Sequence, residues 1–539
     1  MKICGFLLLC FACFPLWGQV PDSSRLPLIE ISSPTPVVNE PKIMADMCIR
    51  FSGTGKWTYA DQPCNAYEGK VGIEIRGSSS QFFDKKSYGI ETRNEDGSNN
   101  NVSLLGLPDE NDWVLHGPYS DKTLIRNALT YEIGRSMGRW APRTRLVELS
   151  VNGDYKGVYV LMEKIKRDKN RVNIAELDDT MGDPQSNTGG YLLKIDKTTG
   201  ASPAYAWEGE FGDLFQLEYP RAGASTSDQY TYIRNYVTAF EESLRTLQFT
   251  DTDSNGYAHY IEPMSFVDFL IVNELAKNVD GYRLSTWLYK DREGRGDSRL
   301  QMGPLWDFNL SFGNANYCVG GGANGWVLNF NRVCAQDAWV INNWWDRLLS
   351  DANFQRLLIE RWRELRKDEL SEAVVIGHID RMVTEIGPAA NRNFSRWGTL
   401  GQYVWPNYYV GDTYLQEINY LKNWVRERLR WIDENIDDIS YQVDGAFSYG
   451  STVYAYPNPF SDRLNLNMQF NSVGTVQMFV RNAKGQQVFA TDLEVPRATF
   501  WSWEWDGHDQ DGNPLPSGLY FLSLQRNDKI LQIRKLIKQ

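Results

Sequence analysis

Two aspartates carry the first suggestion of chemistry. Asp280 stands in VDGYRLSTWLYKD (279–291), and Asp307 in GPLWDFNLSFGN (303–314), flanked by Trp306, Phe308, Leu310 and Phe312. A lone ionised carboxylate in apolar surroundings is costly unless something positive meets it. Asp307 is therefore expected either in a hydrogen-bonded turn or on a metal. The pattern predicts a helix over 263–278 that ends just before Asp280, then an apolar strand over 286–289. The turn-rich stretch Glu293-Gly294-Arg295-Gly296-Asp297 leads to a second strand ending at Asp307. Strands joined this way bring both carboxylates to one end of a hairpin. In phosphoryl transfer one carboxylate orients the attacking hydroxyl and another holds Mg2+ against the phosphates. Turn formation accounts equally well for both residues.

Phosphates need cations. In FFDKKSYGI (82–90), strand alternation puts Lys86, Tyr88 and Ile90 on one face and Lys85, Ser87 and Gly89 on the other. Lys86 is expected on the apolar side, where an ammonium needs an anion, and Lys85 in solvent. Just upstream, Arg76-Gly77-Ser78-Ser79-Ser80 is a small-residue turn rich in backbone N–H groups. In GVYVLMEKIKRDKNRV (157–172) the run Val158–Met162 is apolar on both faces, which marks a buried strand. Glu163 follows on the face of Tyr159 and Leu161. Its candidate partners are Lys86, Mg2+ and the lysines that follow.

These residues sit in a 539-residue chain, long enough for two or more domains. A formal charge of −12 argues against a nucleic-acid footprint, and four histidines argue against a His-rich metal centre. The start, MKICGFLLLCFACFPLWGQ, reads as a secretory signal peptide over 1–18, and no later apolar run is long enough to span a bilayer. Removing it leaves Cys48, Cys64, Cys318 and Cys334, an even number that reads as disulfides in an exported chain. Three pairings are open. The sequence-local pairs Cys48–Cys64 and Cys318–Cys334 close similar short loops and are the choice. The spacing fits no zinc pattern.

Strands are predicted over 67–92 (two, around a Gly/Ser bend), 145–151, 157–165, 191–196 and 214–220, with the turn Asn152-Gly153 joining the second and third groups. A helix is predicted over 122–140. From about 227 helices dominate, at 229–248, 263–278, 343–367, 369–386 and 413–436. A β-rich lobe before a helical lobe suggests an α+β class with a cleft between lobes. After Ile439 the texture changes to short alternating strands and Gly/Pro/Asn/Asp turns, a small all-β sandwich. The expected organisation is a catalytic region over 19–440, a linker over 441–455 and the sandwich over 456–539.

Six ordered blocks resemble the CotH family of spore-coat kinase-like proteins, particularly its secreted Bacteroidetes branch. They are IEIRGSSSQFFDKKSYGIETR, LIRNALTYEIG, VNGDYKGVYVLMEKIKRD, GGYLLKID, NELAKNVDGYRLSTWLYKD and GPLWDFNLSFGN, and the likeness runs from about 27 to 436. The resemblance implies an atypical two-lobed protein-kinase fold that binds ATP and Mg2+ and transfers phosphate to protein. By it, Asp280 is the catalytic base, Asp307 the Mg2+ ligand and Lys86 a phosphate contact, with Arg76 and Glu163 as further cofactor-binding residues. Two departures stand out. Ser285 replaces the Asn that binds a second magnesium in ordinary kinases, and Asp84 replaces an expected Pro beside the lysines.

The tail resembles the type A sorting domain of the type IX secretion system. The matching residues are Tyr456-Pro457-Asn458-Pro459-Phe460, Lys484-Gly485-Gln486, Gly512-Asn513-Pro514 and Pro516-Ser517-Gly518-Leu519-Tyr520-Phe521, then the basic end. The resemblance implies passage through the periplasm and outer membrane, removal of the tail, and surface attachment or release, with the type IX machinery as partner.

Three further motifs carry less. Gly134-Arg135-Ser136-Met137-Gly138 matches G-x-S-x-G but lies inside a predicted helix, not at a strand-to-helix elbow. Residues 251–262 match an EF-hand loop, yet Pro263 follows the closing Glu262 and no partner hand exists, so a helix cap competes with calcium. Gly320-Gly321-Gly322 lacks the GK[ST] of a P-loop. The expected activity is transfer of the ATP γ-phosphate to Ser or Thr of exported proteins. The rival is an inactive adhesive or glycan-binding surface protein, with Trp287, Trp326, Trp344 and Trp345 as sugar platforms.

Overall fold

Apolar residues recur at every second position in Ala45/Met47/Ile49, Val71/Ile73 and Tyr88/Ile90, and each such row turns inward. In the computed structural model these rows line a closed seven-stranded barrel. The structure describes residues 20–177, 186–198, 205–221, 226–246, 248–252, 255–444, 452–456, 458–470, 474–495, 499–526 and 529–539. The expected signal peptide and part of the expected linker lie outside the described residues.

The barrel strands are Leu28–Ser32 (β1), Ile43–Arg50 (β2), Tyr67–Arg76 (β3), Ser87–Arg93 (β4), Asp112–His116 (β5), Thr144–Val151 (β6) and Asp154–Glu163 (β7). Their order is β1-β2-β3-β4-β5-β7-β6. All neighbours are antiparallel except the closing pair, where Leu28–Ile31 of β1 runs parallel to Glu148–Val151 of β6. Trp113, Leu115, Val147, Leu149, Tyr159 and Leu161 complete a filled interior, as a barrel of this size requires. Asn152 and Gly153, both at positive φ (53° and 75°), make the tight turn between β6 and β7.

The chain divides into two compact units: residues 1–165, 307–317 and 369–425 form one, and 166–306, 318–368 and 426–539 the other. This differs from the expected break near 227. The strands Tyr191–Ile195 (β8), Ala206–Glu208 (β9), Leu214–Tyr219 (β10), Thr286–Lys290 (β11) and Leu300–Met302 (β12) form one sheet of the second unit, ordered β9-β10-β8-β11-β12. A hairpin after Asp280 is present as β11 and β12, with Leu288 opposite Met302, but its second strand ends at Met302 and not at Asp307 as expected, and Asp280 and Asp307 belong to different units.

Helix starts in the second unit follow local chemistry. Thr226 and Gln229 form a reciprocal capping box at Ser227–Arg245. Glu262 accepts from the Met264 and Ser265 amides at Pro263–Ala276. The Glu262 carboxylate thus serves the helix end, the alternative to calcium at 251–262. The single helix expected over 343–367 is two, Trp344–Leu349 and Ala352–Leu365. Asp351 interrupts it because its carboxylate caps the Asn353 amide and accepts from Tyr257 Oη at 2.6 Å. Trp287, Trp326, Trp344 and Trp345 are all buried (9%, 1%, 0% and 1% exposed), which removes them as sugar platforms. Trp344 and Trp345 pack against Phe240, Phe266, Phe269 and Tyr282 instead. Cys48–Cys64 and Cys318–Cys334 are paired as expected.

The tail is a two-sheet sandwich of Thr452–Tyr456 (β13), Leu464–Phe470 (β14), Gly474–Asn482 (β15), Gln487–Val495 (β16), Thr499–Trp505 (β17), Gly518–Arg526 (β18) and Lys529–Lys538 (β19). The sheets are ordered β13-β14-β17 and β16-β15-β18-β19. Asn458 stitches the first motif to the last strand, donating to Lys535 O at 2.8 Å and accepting from the Ile537 amide at 2.9 Å. Leu466, Met478, Val480, Leu522 and Leu536 fill its core. Leu522→Ala should cost the tail about 2–5 kcal/mol. The measurement is hydrogen exchange, expected to rise in β14 and β15 and to stay constant in the barrel strands.

Candidate functional site at the barrel rim

The barrel register gathers several polar residues at one end. Arg76 ends β3 opposite Ser87, His116 ends β5 opposite Val160, and Tyr88 stands opposite Leu115. The β3–β4 connection is the RGSSSQFFDK segment, with Gly77 at φ 107° and a short 3-10 turn over Ser79–Phe82. That φ is one L side chains rarely adopt, which calls for glycine at this bend, and a Cβ there would also displace Ser80 Oγ, 2.0 Å away. Ser78 and Ser79 are exposed, and Phe82 is 89% exposed.

The two lysines exchange their expected environments. Lys85 is the buried one, 1% exposed, and donates to Val158 O (2.6 Å), Asn393 Oδ1 (2.7 Å) and Pro118 O (3.3 Å). Burial holds its ammonium well below the usual lysine range, against the pull of Asp121. Asn393 belongs to a helix, Ala389–Trp397, that the sequence pattern did not indicate. It reaches Lys85 over Gly157, where a Cβ would stand 2.4 Å from Asn393 Oδ1. Lys86 is partly exposed and donates to Gln81 O and Phe83 O, both at 2.7 Å, which holds the Ser79–Phe82 turn in shape. Alternation misplaced both residues because β4 begins only at Ser87. Glu163 is fully buried, and its two oxygens accept from Arg143 Nε (2.9 Å) and Nη2 (2.8 Å), an arginine that was not among its candidate partners Lys86, Mg2+ and the following lysines.

Asp307 lies in the same unit as this rim. It is exposed, not buried as its apolar neighbours suggested, while Leu305 and Phe308 turn inward. Its φ of 64° is left-handed, a conformation that costs energy and concentrates at functional positions. Two residues of the helix Arg126–Ser136 hold this backbone. Tyr131 Oη accepts from the Asp307 amide at 3.2 Å, and Asn127 Oδ1 accepts from Phe308 N at 2.6 Å. Burial lowers the Arg76 guanidinium, and the Asp307 charge is the strongest influence pulling it back up. The same charge adds to burial in pushing up the Tyr131 phenol. Arg76 and Asp307 are therefore electrostatic neighbours.

The same unit holds a buried ion pair. Arg126 and Asp121 are 1% and 2% exposed at the side chain and meet at 2.5 Å. Asp121 also accepts from Thr123 N, Thr123 Oγ1 and Arg126 N, while Arg126 donates to Ser311 O and Phe312 O. This network ties the segment after Asp307 to the start of the helix. His116 feels it too: burial pushes the imidazole down to about 4, opposed by Asp121 and reinforced by Lys85 and Arg76.

Asp280 belongs to the second unit. It follows the helix Pro263–Ala276 and meets Arg283 Nη2 at 2.7 Å. Arg283 is fixed by stacking 4.1 Å over Phe330 and by donating to Val279 O and Trp339 O. The surrounding loop is strained, with Lys277, Tyr282 and Ser285 at φ 48°, 70° and 47°. A buried pair the sequence did not reveal anchors it. Glu274 accepts from Val327 N, Leu328 N and Tyr282 Oη and pairs with Arg428 at 3.1 Å. Lys277, pushed down to about 7 by burial, donates to Gly322 O and Asn324 O. Asp196, at the end of β8, is a further carboxylate by this loop. It accepts from the Lys197 amide at 2.9 Å and from the Ser285 amide, and burial raises its pKa. Its place at the end of the GGYLLKID block was the available signal. The G-x-S-x-G residues sit at the end of the helix Arg126–Ser136, with Ser136 Oγ donating to Ile133 O.

Two outcomes test this description. The unfolded chain takes up the His116 proton near pH 6.5 and the folded chain only near 4. Stability should therefore fall as pH drops through that window and level off below it. Thermal melts at stepped pH should show this slope, reduced in His116→Gln. Asp121→Ala leaves the Arg126 guanidinium buried without its carboxylate and should cost about 3–5 kcal/mol in urea unfolding.

A family model described as CotH kinase protein matches residues 73–432, and one described as FlgD Ig-like domain matches residues 461–529. Among solved structures the chain is similar to the proinflammatory kinase CtkA of Helicobacter pylori, at 11% identity over 66% of this chain and 95% of that one, with a TM-score of 0.24. It is similar to latent PorU of Porphyromonas gingivalis at 16% identity over 16% of this chain and 9% of that one, TM-score 0.15. FlgD of Xanthomonas campestris matches at 21% identity over 16% of this chain and 67% of that one, TM-score 0.13. The chain thus spans about a tenth of the PorU length. No curated protein matches it. The first family match takes in about two thirds of the chain, with Arg76, Asp280 and Asp307 inside it, and the chain belongs to the CotH kinase protein family.

Proposed function

We propose that the chain is an exported atypical kinase that transfers the ATP γ-phosphate to Ser or Thr hydroxyls of other exported proteins. The observation that carries this reading is the pairing at the barrel rim. An arginine and an exposed aspartate in a left-handed conformation stand as electrostatic neighbours beside a Gly/Ser turn. Membership of a kinase-like family supports ATP and a divalent metal as cofactors.

The donor set fits such a group. Among the described residues no three His, Cys, Asp or Glu side chains gather into a metal-holding cluster. Magnesium in phosphoryl-transfer sites takes one or two carboxylates and completes its shell with phosphate oxygens and water. Asp307 is the carboxylate proposed for it. Bound Mg2+ and ATP would supply the transferable phosphoryl group and much of its charge neutralisation. Arg76 balances phosphate charge. The exposed serines after Gly77 offer backbone N–H groups, and Lys86 keeps that turn in shape while adding its own charge. Asp280, oriented by Arg283, takes the hydroxyl proton. Glu163 acts through Arg143, as a positioning residue of β7.

The tail, which matches the FlgD Ig-like model, is proposed as a removable type IX sorting domain, expected over 456–539 after a 441–455 linker and extended to Thr452 by its first strand, β13. A leader over 1–18 and passage through the periplasm to the cell surface complete this proposal. No helix among the described residues is long and apolar enough to cross a membrane.

Asn adopts left-handed φ readily, so Asp307→Asn should keep its melting temperature while losing the carboxylate. ATP with Mg2+ at about 100 times its Kd should stabilise the wild type by roughly 2.7 kcal/mol and leave Asp307→Asn unmoved. Asp280→Asn should keep this thermal shift yet lose phosphate transfer by about 10²-fold or more in a radiolabel assay. A wild type whose melt ignores ATP and Mg2+ overturns the reading.

A further inference from the structure

A strip of exposed aromatics lies along two segments of the barrel unit. Residues 308–317 and 399–411 run side by side: Ala315 bridges Asn407, the Asn316 amide donates to Pro406 O, and the Tyr408 amide donates to Asn314 O. Tyr403, Trp405 and Tyr408 are 57%, 53% and 57% exposed, an unusual amount of ring to leave in water. Trp405 and Tyr317 lie with their ring planes 5° apart and their centroids at 6.2 Å. Asn316 Nδ2 donates to Tyr403 Oη at 3.0 Å, which sets an amide beside the rings.

The strip is held stiffly. Asn407 Nδ2 donates to Ser120 O (2.7 Å) and Asn314 Oδ1 (3.0 Å), and Lys122 Nζ donates to Gln402 O. Rings fixed in place lose little entropy when they meet a ligand. The charge pattern narrows the occupant. Neither segment contains a single Asp, Glu, Lys, Arg or His, although 23% of the chain is charged. The charges that flank the two segments, Asp307 and Asp412, are exposed and both negative, so an acidic peptide or nucleic acid would meet no cation from either segment. Parallel rings with amide and phenol groups at their edges suit flat, neutral C–H faces bordered by hydroxyls.

We infer that this strip binds a neutral polysaccharide whose equatorially linked sugars present flat faces, with Trp405 and Tyr317 as the stacking pair and Tyr403 and Tyr408 flanking them. The binding is independent of phosphate transfer. Native electrophoresis of the full chain in gels containing hydroxyethylcellulose, xylan or galactomannan, against alginate and heparin, tests it. Retardation is expected in at least one neutral gel and not in the acidic ones. It should be lost in the double variant Tyr403→Ala/Trp405→Ala and weakened several-fold in Tyr408→Ala, with melting temperatures unchanged. Asp307→Asn should be retarded like the wild type, which separates this site from the phosphotransfer reading. Migration unaffected by every neutral polysaccharide, equal retardation of the double variant, or stronger retardation by alginate or heparin each overturns the inference.

Discussion

The Asp121–Arg126 pair constrains everything around the barrel rim. Two charges removed from water are stable only when nearly every lone pair and proton is matched. Here Asp121 takes the amides and hydroxyl at the helix start, and Arg126 takes two carbonyls of the segment that follows Asp307. The pair therefore does two jobs with one set of bonds. It starts the helix Arg126–Ser136, whose own N-cap position, Ile125, offers no side-chain oxygen. It also fixes where the chain runs at 311–312, and hence the left-handed turn that presents Asp307.

Strain at Asp307 is tolerable for the same reason. A left-handed residue held only by its neighbours would relax to a commoner conformation. Tyr131 and Asn127 hold the amides of Asp307 and Phe308 from a rigid helix, so the backbone has no better place to go. The second unit uses a similar device. Glu274 and Arg428, both buried, pin the loop that carries Asp280. In each case a satisfied internal ion pair stands behind a strained loop with an acidic residue.

Much of this was legible in the residues. Local signals gave the strands β3, β4, β6 to β8 and β10, the Asn152-Gly153 turn, both disulfides, and the helices near 227–245, 263–276, 372–386 and 414–435. What failed was non-local. The barrel closes through a parallel pairing of Leu28–Ile31 with Glu148–Val151, which no short-range pattern announces. The environments of Lys85 and Lys86 depended on where β4 begins and on Asn393, 308 residues away from Lys85. The apolar neighbours of Asp307 were real, but a single left-handed residue turned its side chain outward among them. Burial of four tryptophans reflects a core that sequence position alone does not locate.

The two units interleave along the chain, and this has a consequence for synthesis. Arg126 waits for its acceptors at Ser311 and Phe312, 185 and 186 positions later. At about 5–20 residues per second the ribosome needs roughly 10–40 s to deliver them. Throughout that interval the emerging barrel carries a guanidinium without its carbonyls and a set of strands without the Asn393 helix. The barrel unit therefore cannot complete these bonds until residues 311–312 and the Asn393 helix have left the ribosome.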